Sequence, residues 1–338
     1  MLYAAIGGVL LLKKKVQIQN ESIESQVNKG FTDALVEYIL NGFEANATEI
    51  SIILETNDLG GLIGVEIKDN GSGINHETIS TTFESFLVSS KVASEKPINI
   101  GKNKGKGRYS FIGFANSATW KTVYRDRGRL SSYNIQINTS TKDHVFYDET
   151  PVDVTESATS TGTTVSFDVS SGLIADVAQI ENVLQEAFAY FLYLKKAHGY
   201  KIILDNMELD YLKYVDTELT EDKILEIDGE VFNVFFIKWI EAIKSKFFFY
   251  LLDSGAKEKY SEHTKFNNNA IDFYHSVYVE SGYFNDFVPL HDKINGQKVP
   301  ENQIIRDEHE TKNQRSSTYK KLRKALNSFV EDKQKAIC

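Results

Sequence analysis

Residues 101–108 read GKNKGKGR, so three glycines and four cationic side chains fall within eight positions. Glycine permits backbone angles that other residues avoid, and it leaves backbone N–H groups accessible. A helix-like segment follows at 109–115, and a helix N-terminus attracts anions. The run therefore predicts an anion-binding loop, against the plainer alternative of a solvated charged face. It is neither a Walker A sequence nor a dinucleotide fingerprint, because the G-K-[ST] ending and a preceding strand are missing from the sequence pattern.

A second glycine-containing turn lies upstream. The segment 62–69 (LIGVEIKD) alternates in polarity and predicts a strand, which ends at Asp69. Asp69-Asn70-Gly71-Ser72-Gly73 follows, with Gly71 and Gly73 two positions apart. Such a turn lets the backbone approach a flat ligand closely. An ordinary Asp-Asn-Gly turn is the alternative.

The third feature is a polar pair on the first predicted helix. Segment 24–46 carries apolar residues four apart, which predicts a helix that is buried on most of its surface. Glu37 and Asn41 interrupt this pattern, and the i, i+4 spacing places both on one helix face. The pair therefore indicates either a polar functional site or a helix face that is exposed to solvent.

Composition restricts the class of protein. Of the 338 residues, 41% are hydrophobic, which excludes a largely disordered chain, and the length favours two domains. The net charge of −9 argues against a general polyanion binder. The single cysteine, Cys338, excludes an intrachain disulfide and a cysteine-based metal site. This cysteine usage fits a reducing compartment, so we expect a cytoplasmic protein.

The predicted elements divide the chain into segments. We expect strands at 49–55, 121–124, 132–138 and 165–169 in the first domain, and a connecting helix at 175–198 that Gly199 ends. A second domain at 200–300 reads mostly as strands, at 201–204, 231–241, 246–252 and 274–280. The tail at 301–338 has a thin apolar helical stripe, and we expect it to pack on a missing segment or on a second copy.

The N-terminal segment 1–15 is an apolar arm followed by lysines. Its apolar run, 2–12, is too short for a membrane-spanning helix, and the charges follow it instead of preceding it, which is the reverse of a secretory signal. We expect no membrane association. Burial of four aliphatic side chains stabilises by roughly 6–12 kcal/mol before entropy is subtracted. The arm therefore packs either on its own domain or on a partner.

Taken in order, the motifs resemble those of the GHKL ATPases. The sequence reads E-x-x-x-N on a helix, D-x-G-x-G after a strand, G-x-x-x-G-x-G before a helix and T-G-T before a strand. This superfamily includes DNA gyrase B subunits, ninety-kilodalton heat-shock chaperones, histidine kinases, MutL proteins and MORC ATPases. The lid-like stretches 86–91 and 100–114 resemble the chaperone, MutL and MORC branch. The resemblance implies an α+β chain: a Bergerat-type α/β sandwich at 16–172, a connecting helix at 173–199 and a smaller α/β transducer-like domain at 200–300.

The resemblance also implies roles for single residues. Glu37 would be the general base that activates water, and Asn41 would bind Mg²⁺ through its side-chain oxygen. Asp69 would accept a hydrogen bond from the adenine amino group. The remaining nucleotide contacts that the resemblance implies involve Gly71, Gly73, Gly101, Lys102, Lys104, Gly105, Lys106, Gly107 and Thr164. ATP and Mg²⁺ are thus the implied ligands.

Segment 44–48 departs from the pattern of one branch, and a loop in the second domain resembles that of another. MutL-like proteins usually read D-A-G-A-T where this chain has Glu44-Ala45-Asn46-Ala47-Thr48, and Glu44 receives no assigned role. In the second domain, His263-Thr264-Lys265 resembles the Gln-Thr-Lys loop of type II topoisomerases. Lys265 is therefore the candidate for a catalytic lysine that contacts the terminal phosphate. The alternative is that Lys257, Lys259 and Lys265 are all ordinary surface lysines.

The resemblance predicts a Mg²⁺-dependent ATPase with a lid that closes on ATP, together with ATP-dependent homodimerisation. A histidine-kinase ATP-binding domain is disfavoured, because no phosphoacceptor-helix motif lies upstream. A nucleotide-dependent binding module without turnover is the alternative from another class, and Glu37 argues against it. The sequence does not distinguish a nucleic acid from a protein as the client.

Overall fold

The computed structural model describes residues 2–6, 9–15, 30–83, 107–154, 160–169, 172–243, 246–266, 272–290, 293–294, 297–298 and 312–337. These residues form two compact units. The first contains the described residues up to 188 together with 195–210, and the second contains 189–194 and those from 211 onward. The predicted α+β class is confirmed, since two mixed sheets are combined with few helices.

The first unit is built on an eleven-stranded sheet. In chain order its strands are β1 (Leu2–Ile6), β2 (Val9–Lys15), β3 (Glu49–Thr56), β4 (Leu62–Asp69), β5 (Ala115–Asp126), β6 (Arg129–Asn138), β7 (His144–Tyr147), β8 (Val152–Asp153), β9 (Gly162–Val169), β10 (Lys201–Leu204) and β11 (Met207–Glu208). Across the sheet the order is β1-β2-β7-β6-β5-β9-β4-β3-β10-β11, and β8 pairs with β6. The antiparallel strands β4, β9 and β5 lie side by side at the centre and carry the site described below.

Helix α1 (Phe31–Glu44) packs on this sheet. It begins after Gly30, whose backbone is extended, and residues 24–29 of the predicted helix lie outside the described residues. Tyr38 meets Phe167 of β9 edge to face, with ring centroids 4.8 Å apart. The apolar residues of α1 are buried as the four-residue spacing predicts.

The segment predicted to be helix-like at 109–115 is a 3₁₀ helix, Gly107–Gly113, and strand β5 begins directly afterwards. Two further 3₁₀ helices, His76–Thr78 and Thr139–Thr141, and a four-residue α-helix, Ile79–Thr82, complete the connections of this part of the chain. Strands β3, β4, β5, β6 and β9 include every strand predicted for this region. β5 begins six residues before the predicted start, and the prediction missed the buried apolar residues Ala115, Ala118 and Trp120.

Helix α2 (Val177–Leu194) leads through a 3₁₀ turn to Gly199, which has the left-handed φ of +68° that ends the predicted helix. The chain then enters β10, which pairs in parallel with β3. The prediction that placed 201–204 in the second domain is therefore wrong. Two parallel strands need a crossover connection, and α2 is part of that connection.

The N-terminal segment forms a hairpin in which β1 pairs with β2, and β2 pairs with β7 through Leu12 and Tyr147. The backbone of β2 therefore pairs with the segment's own domain, which is one of the two alternatives that the sequence left open. Among the described residues, β1 has β2 as its strand partner and is the edge of the sheet.

The second unit contains a five-stranded sheet in the order β12-β13-β16-β14-β15. Its strands are β12 (Glu221–Ile227), β13 (Glu230–Lys238), β14 (Phe248–Leu252), β15 (Glu258–His263) and β16 (His275–Glu280), and a short separate pair consists of β17 (Lys293–Ile294) and β18 (Gln297–Lys298). Short 3₁₀ helices lie at Tyr211–Tyr214 and Gly282–Phe284. Tyr190 of α2 stacks on Tyr278 of β16, which in turn stacks on Tyr250.

Helix α3 (Ser317–Lys335) covers the other face of this sheet. Leu322, Leu326 and Phe329 are buried against the aromatic residues of β13 and β14. The expectation that the tail packs on a missing segment or a second copy is therefore wrong. The thin apolar stripe of α3 is enough to hold the helix on the sheet, because the facing strands supply large Phe side chains. No helix in the described part of the chain is long and apolar enough to cross a membrane.

Candidate functional site

Helix α1 places Glu37 and Asn41 on the same face, one turn apart. Glu37 is only 8% exposed, whereas Asn41 is half-buried. A carboxylate is seldom buried unless a partner or a function requires it there. The burial of Glu37 therefore argues against the solvated helix face that the sequence left open for this residue.

Gly107, the last glycine of the 101–108 run, lies directly against Glu37. A Cβ atom on Gly107 would come within 2.4 Å of Glu37 Oε1 and 2.7 Å of Glu37 Cγ. Two hydrogen bonds hold this part of the chain in place: Ser110 Oγ donates to the Gly107 carbonyl at 2.6 Å, and Tyr38 Oη donates to the Arg108 carbonyl at 3.0 Å. The end of the glycine–cation run is thus fixed beside the buried carboxylate.

Asp69 ends β4 and accepts two backbone hydrogen bonds through one oxygen atom. Oδ1 accepts from the N–H of Gly71 at 2.8 Å and from the N–H of Thr163 at 3.3 Å. Burial raises the pKa of Asp69, and the two N–H donors oppose that rise. Within the described part of the chain, Oδ2 receives no hydrogen bond. One carboxylate oxygen is therefore oriented by the protein, while the other is available to a ligand.

Gly73 brings the turn after Asp69 onto the neighbouring strand. Its φ is +73°, and a Cβ atom would lie 2.1 Å from the Val123 carbonyl oxygen. The next residue, Ile74, donates its N–H to Thr122 Oγ1 at 2.8 Å. Only glycine fits this position, for steric and conformational reasons together. The D-x-G-x-G pattern therefore builds a turn that is tied to β5.

The threonine beside Asp69 is Thr163, one position before the predicted Thr164. Thr163 pairs with Asp69 across β9 and β4, is buried, and has its hydroxyl 3.2 Å from Thr122 Oγ1. Thr164 pairs with Lys68 on the opposite face of the sheet. Since side chains alternate along a strand, a shift of one residue reverses the face. Thr163 and not Thr164 lies beside Asp69.

Three supporting residues were not predicted from the sequence. Asn70 Oδ1 accepts from the N–H groups of Thr48 and Glu49, at 2.8 and 3.0 Å, and holds the turn against β3. Asn46 has a φ of +63°, at the position where MutL-like proteins have glycine. Asparagine tolerates this left-handed conformation better than most residues, so Asn46 suits this position. The buried Thr122 gave no sequence signal, because threonine is common in strands.

The remaining predicted residues divide into two groups. Gly101, Lys102, Lys104, Gly105 and Lys106 lie outside the described residues, so the structure reports only the end of this run. Lys265 lies in the second unit, directly after β15, where its side chain is exposed. Glu37, Asn41, Asp69, Gly71, Gly73 and Gly107 all belong to the first unit.

The donor set fits Mg²⁺ better than a transition metal. The half-buried Asn41 amide oxygen is a hard ligand next to a buried carboxylate, and Mg²⁺ is commonly held by one or two protein oxygens together with substrate phosphates. The part of the chain that the structure describes contains no group of three or more His, Cys, Asp or Glu residues arranged to hold a metal.

No curated protein sequence matches the chain. Among solved structures, the ATPase region of Saccharomyces cerevisiae topoisomerase II is similar, with 13% identity over 74% of this chain and 73% of that chain, at a TM-score of 0.41. The ATPase and transducer domains of topoisomerase II from Balamuthia mandrillaris give 13% identity over 74% and 72%, at a TM-score of 0.46.

The family assignment itself rests on a sequence profile. Residues 29–163 match the family described as "Histidine kinase-, DNA gyrase B-, and HSP90-like ATPase". This stretch contains Glu37, Asn41, Asp69, Gly73 and Gly107, and the match supports ATP binding by the first unit. Residues 29–163 of this chain therefore form an ATPase-type domain of the GHKL superfamily.

Proposed function

We propose that this chain binds ATP through Asp69 and hydrolyses it in a Mg²⁺-dependent reaction. The observation that carries the proposal is the half-used carboxylate of Asp69, whose Oδ1 is held by two backbone N–H groups while Oδ2 accepts no hydrogen bond from the described residues. An acceptor fixed in this way suits the amino group of adenine. Guanine carries a carbonyl at the same position, so the arrangement favours adenine.

Hydrolysis is assigned to Glu37. Its buried carboxylate lies against Gly107, at the end of the predicted phosphate-binding run. This placement supports a role in which Glu37 would orient a water molecule and accept its proton. A positioned general base typically contributes ~10²–10⁴ in rate. Asn41 would hold Mg²⁺, which neutralises charge on the phosphates when it is bound. The polar pair on α1 thus divides into a base and a metal ligand.

One segment and one further residue would contact the phosphates of ATP during the proposed cycle of ATP binding and hydrolysis. The run 101–107 would form a lid over the phosphates, and Lys265 of the second unit would contact the terminal phosphate, as the resemblance to the GHKL lid and the Gln-Thr-Lys loop implies. Because ADP lacks the terminal phosphate, the two nucleotides would favour different lid states. Hydrolysis would then drive a conformational cycle.

We also propose that ATP promotes pairing of two copies through β1. Support comes from its place at the edge of the eleven-stranded sheet, since an edge strand carries unpaired backbone N–H and C=O groups that another strand can engage. Its sequence, LYAAI, carries no charge that would oppose such pairing. We propose that a second copy of this chain pairs with this edge strand.

The adenine assignment is tested by measuring ATP affinity of Asp69→Asn. Because Oδ1 remains the better acceptor for the N–H groups of Gly71 and Thr163, the new amide nitrogen replaces Oδ2 and presents a donor to the adenine amino group. We expect the Kd for ATP to rise by ~10- to 100-fold, which corresponds to a lost charge-assisted hydrogen bond. Asp58→Asn, in an exposed turn, is the matched control. An unchanged Kd in Asp69→Asn would contradict the assignment.

A further inference from the structure

Two buried side-chain hydroxyls hold the beginning of the 3₁₀ helix Gly107–Gly113. Ser110 is fully buried, and its Oγ donates to the Gly107 carbonyl at 2.6 Å. Tyr38 of helix α1 is also buried, and its Oη donates to the Arg108 carbonyl at 3.0 Å. Two consecutive backbone carbonyl groups therefore each accept a hydrogen bond from a hydroxyl of their own.

These hydrogen bonds fix the orientation of the backbone as well as its position. A peptide unit is planar, so a carbonyl oxygen with a fixed direction also fixes the plane to which it belongs. Two successive planes, from Gly107 to Tyr109, are held in this way. The Cα atom of Gly107 lies in the first plane, and a Cβ atom added there would meet Glu37. Ser110 and Tyr38 thus hold the backbone that lies against the buried carboxylate.

Helix α1 supplies both the carboxylate and one of the two hydroxyls. Glu37 lies against Gly107, and Tyr38, the next residue of α1, bonds to Arg108, the residue after Gly107. Consecutive residues of the helix therefore meet consecutive residues of one short backbone segment. A movement of that segment changes the space available to the Glu37 carboxylate.

Aromatic packing holds the remainder of this region without the hydroxyls. Phe111 is fully buried, and its ring centroid lies 6.4 Å from those of Trp120 on β5 and Phe167 on β9. The ring of Tyr38 meets the same Phe167 ring edge to face. Because these contacts involve the rings alone, removal of a hydroxyl leaves them in place, and its effect is confined to the beginning of the 3₁₀ helix.

We propose that Ser110 and Tyr38 are positioning residues that hold the Glu37 carboxylate in its catalytic orientation through the backbone of Gly107. The inference rests on the proposed function, because it gives the two hydroxyls a catalytic task only if Glu37 acts on ATP. Both hydroxyls bond to backbone carbonyl groups, so neither needs to touch the nucleotide. The inference adds two residues to the proposed ATPase site, both within the first unit.

The first test is turnover of Tyr38→Phe and Ser110→Ala, each of which removes one hydroxyl and keeps the rest of the side chain. We expect each to lower kcat for ATP hydrolysis by ~10-fold, about the effect of one lost hydrogen bond. The KM for ATP should be unchanged, because the proposed adenine contact at Asp69 remains. Tyr133→Phe is the matched control and should keep the parent kcat, since Tyr133 is buried and its hydroxyl has no hydrogen-bond partner among the described residues.

The Glu37→Gln background shows whether the hydroxyls act through the carboxylate. If they do, Ser110→Ala should lower the residual kcat of Glu37→Gln by no more than ~2-fold, because the group that it positions is already gone. A general loss of folded protein would instead lower the rate equally in both backgrounds. Thermal unfolding of every variant measures that loss directly.

Hydrogen exchange of the nucleotide-free protein supplies a readout that does not depend on activity. Mass spectrometry compares a peptide that contains residues 107–113 in the parent, Tyr38→Phe, Ser110→Ala and Tyr133→Phe. We expect its protected amides to exchange ~10-fold faster in the first two variants, because each has lost a hydrogen bond that holds the segment. Exchange in strand β9 should be unchanged, and Tyr133→Phe should match the parent throughout.

The outcomes separate this inference from the proposed function. Parent-level kcat in Tyr38→Phe and Ser110→Ala, while Glu37→Gln loses turnover, would overturn the positioning role and leave the proposed ATPase intact. A lowered kcat with unchanged exchange at 107–113, or a full ~10-fold loss in the Glu37→Gln background, would also overturn it. A parent protein that hydrolyses no ATP would overturn the proposed function and this inference with it.

Discussion

Gly107 lies so close to Glu37 that a Cβ atom at this glycine would be 2.4 Å from the Glu37 Oε1 atom. The contact joins the end of the glycine–cation run to the helix that carries the proposed base. It also explains why a glycine is needed at 107: the requirement comes from the adjoining carboxylate.

Gly107→Ala should therefore move Glu37 and reduce hydrolysis. We expect kcat to fall by ~10²-fold, since a shift of about 1 Å in a positioned group has effects of this size. The Kd for ATP should rise less than it does in Asp69→Asn, because the substitution leaves the proposed adenine contact at Asp69 in place. Steady-state turnover and ATP titration measure the two quantities. Gly282→Ala, where a Cβ atom meets nothing within 4 Å, is the matched control. Parent-level turnover in Gly107→Ala would contradict the contact.

ATP affinity should decrease as the pH falls. Burial raises the pKa of Asp69 above its ordinary value of 3.8. Because Oδ1 is occupied by two N–H donors, the proton goes to Oδ2. Protonation would then turn the proposed acceptor of the adenine amino group into a donor. ATP titrations from pH 7.5 to 5 measure the effect. The same series on Asp69→Asn removes it while retaining the titration of the phosphates, so parallel pH profiles for the two proteins would exclude Asp69 as the cause.

The second unit should lose stability in mild acid. Burial lowers the pKa of His275 to about 4, from an ordinary 6.5. The folded state therefore binds fewer protons than the unfolded state between these values, and stability rises with pH through this window. The contribution at pH 5 is ~2 kcal/mol below that at pH 7.5. Urea unfolding of the parent and of His275→Gln at both pH values measures it, and an equal pH effect in both proteins would contradict the assignment.

ATP should produce dimers that depend on the N-terminal hairpin. Analytical ultracentrifugation of Glu37→Ala, which retains bound ATP, compares the full chain with one that lacks residues 1–14, with and without ATP. We expect a dimer only for the full chain with ATP, because the truncation removes β1, the strand that we propose as the interface, together with most of β2. A monomer in all four samples would exclude dimerisation. A dimer that survives the truncation would keep dimerisation and discard β1 as its interface.

The sequence predicts the site well where the chemistry is local. The strand that ends at Asp69 and the turn through Gly73 follow from alternation and glycine placement, and the i, i+4 spacing brings Glu37 and Asn41 together. The sequence also contains enough information to place Thr163 on the buried face of β9. Thr163 shares the strand parity of the apolar Val165 and Phe167, so alternation alone assigns it to the buried face.

Other features depend on contacts between distant parts of the chain. The parallel pairing of Lys201 with Glu49 joins segments that lie far apart in sequence, and nothing in the β-branched run 201–204 distinguishes one sheet from the other. The packing of helix α3 likewise depends on Phe236 and Phe249, which form the apolar surface that Leu322 and Leu326 cover. Periodicity shows that a face is apolar but does not identify its partner.

The central claim is that Glu37 activates water for hydrolysis of an ATP molecule that other residues hold. The most direct measurement is phosphate release by Glu37→Gln, with ATP binding titrated in the same preparation and the exposed Glu55→Gln as control. The account predicts that Glu37→Gln binds ATP with a Kd within a few-fold of the parent, while turnover falls by ~10²–10⁴. Parent-level phosphate release from Glu37→Gln would contradict it.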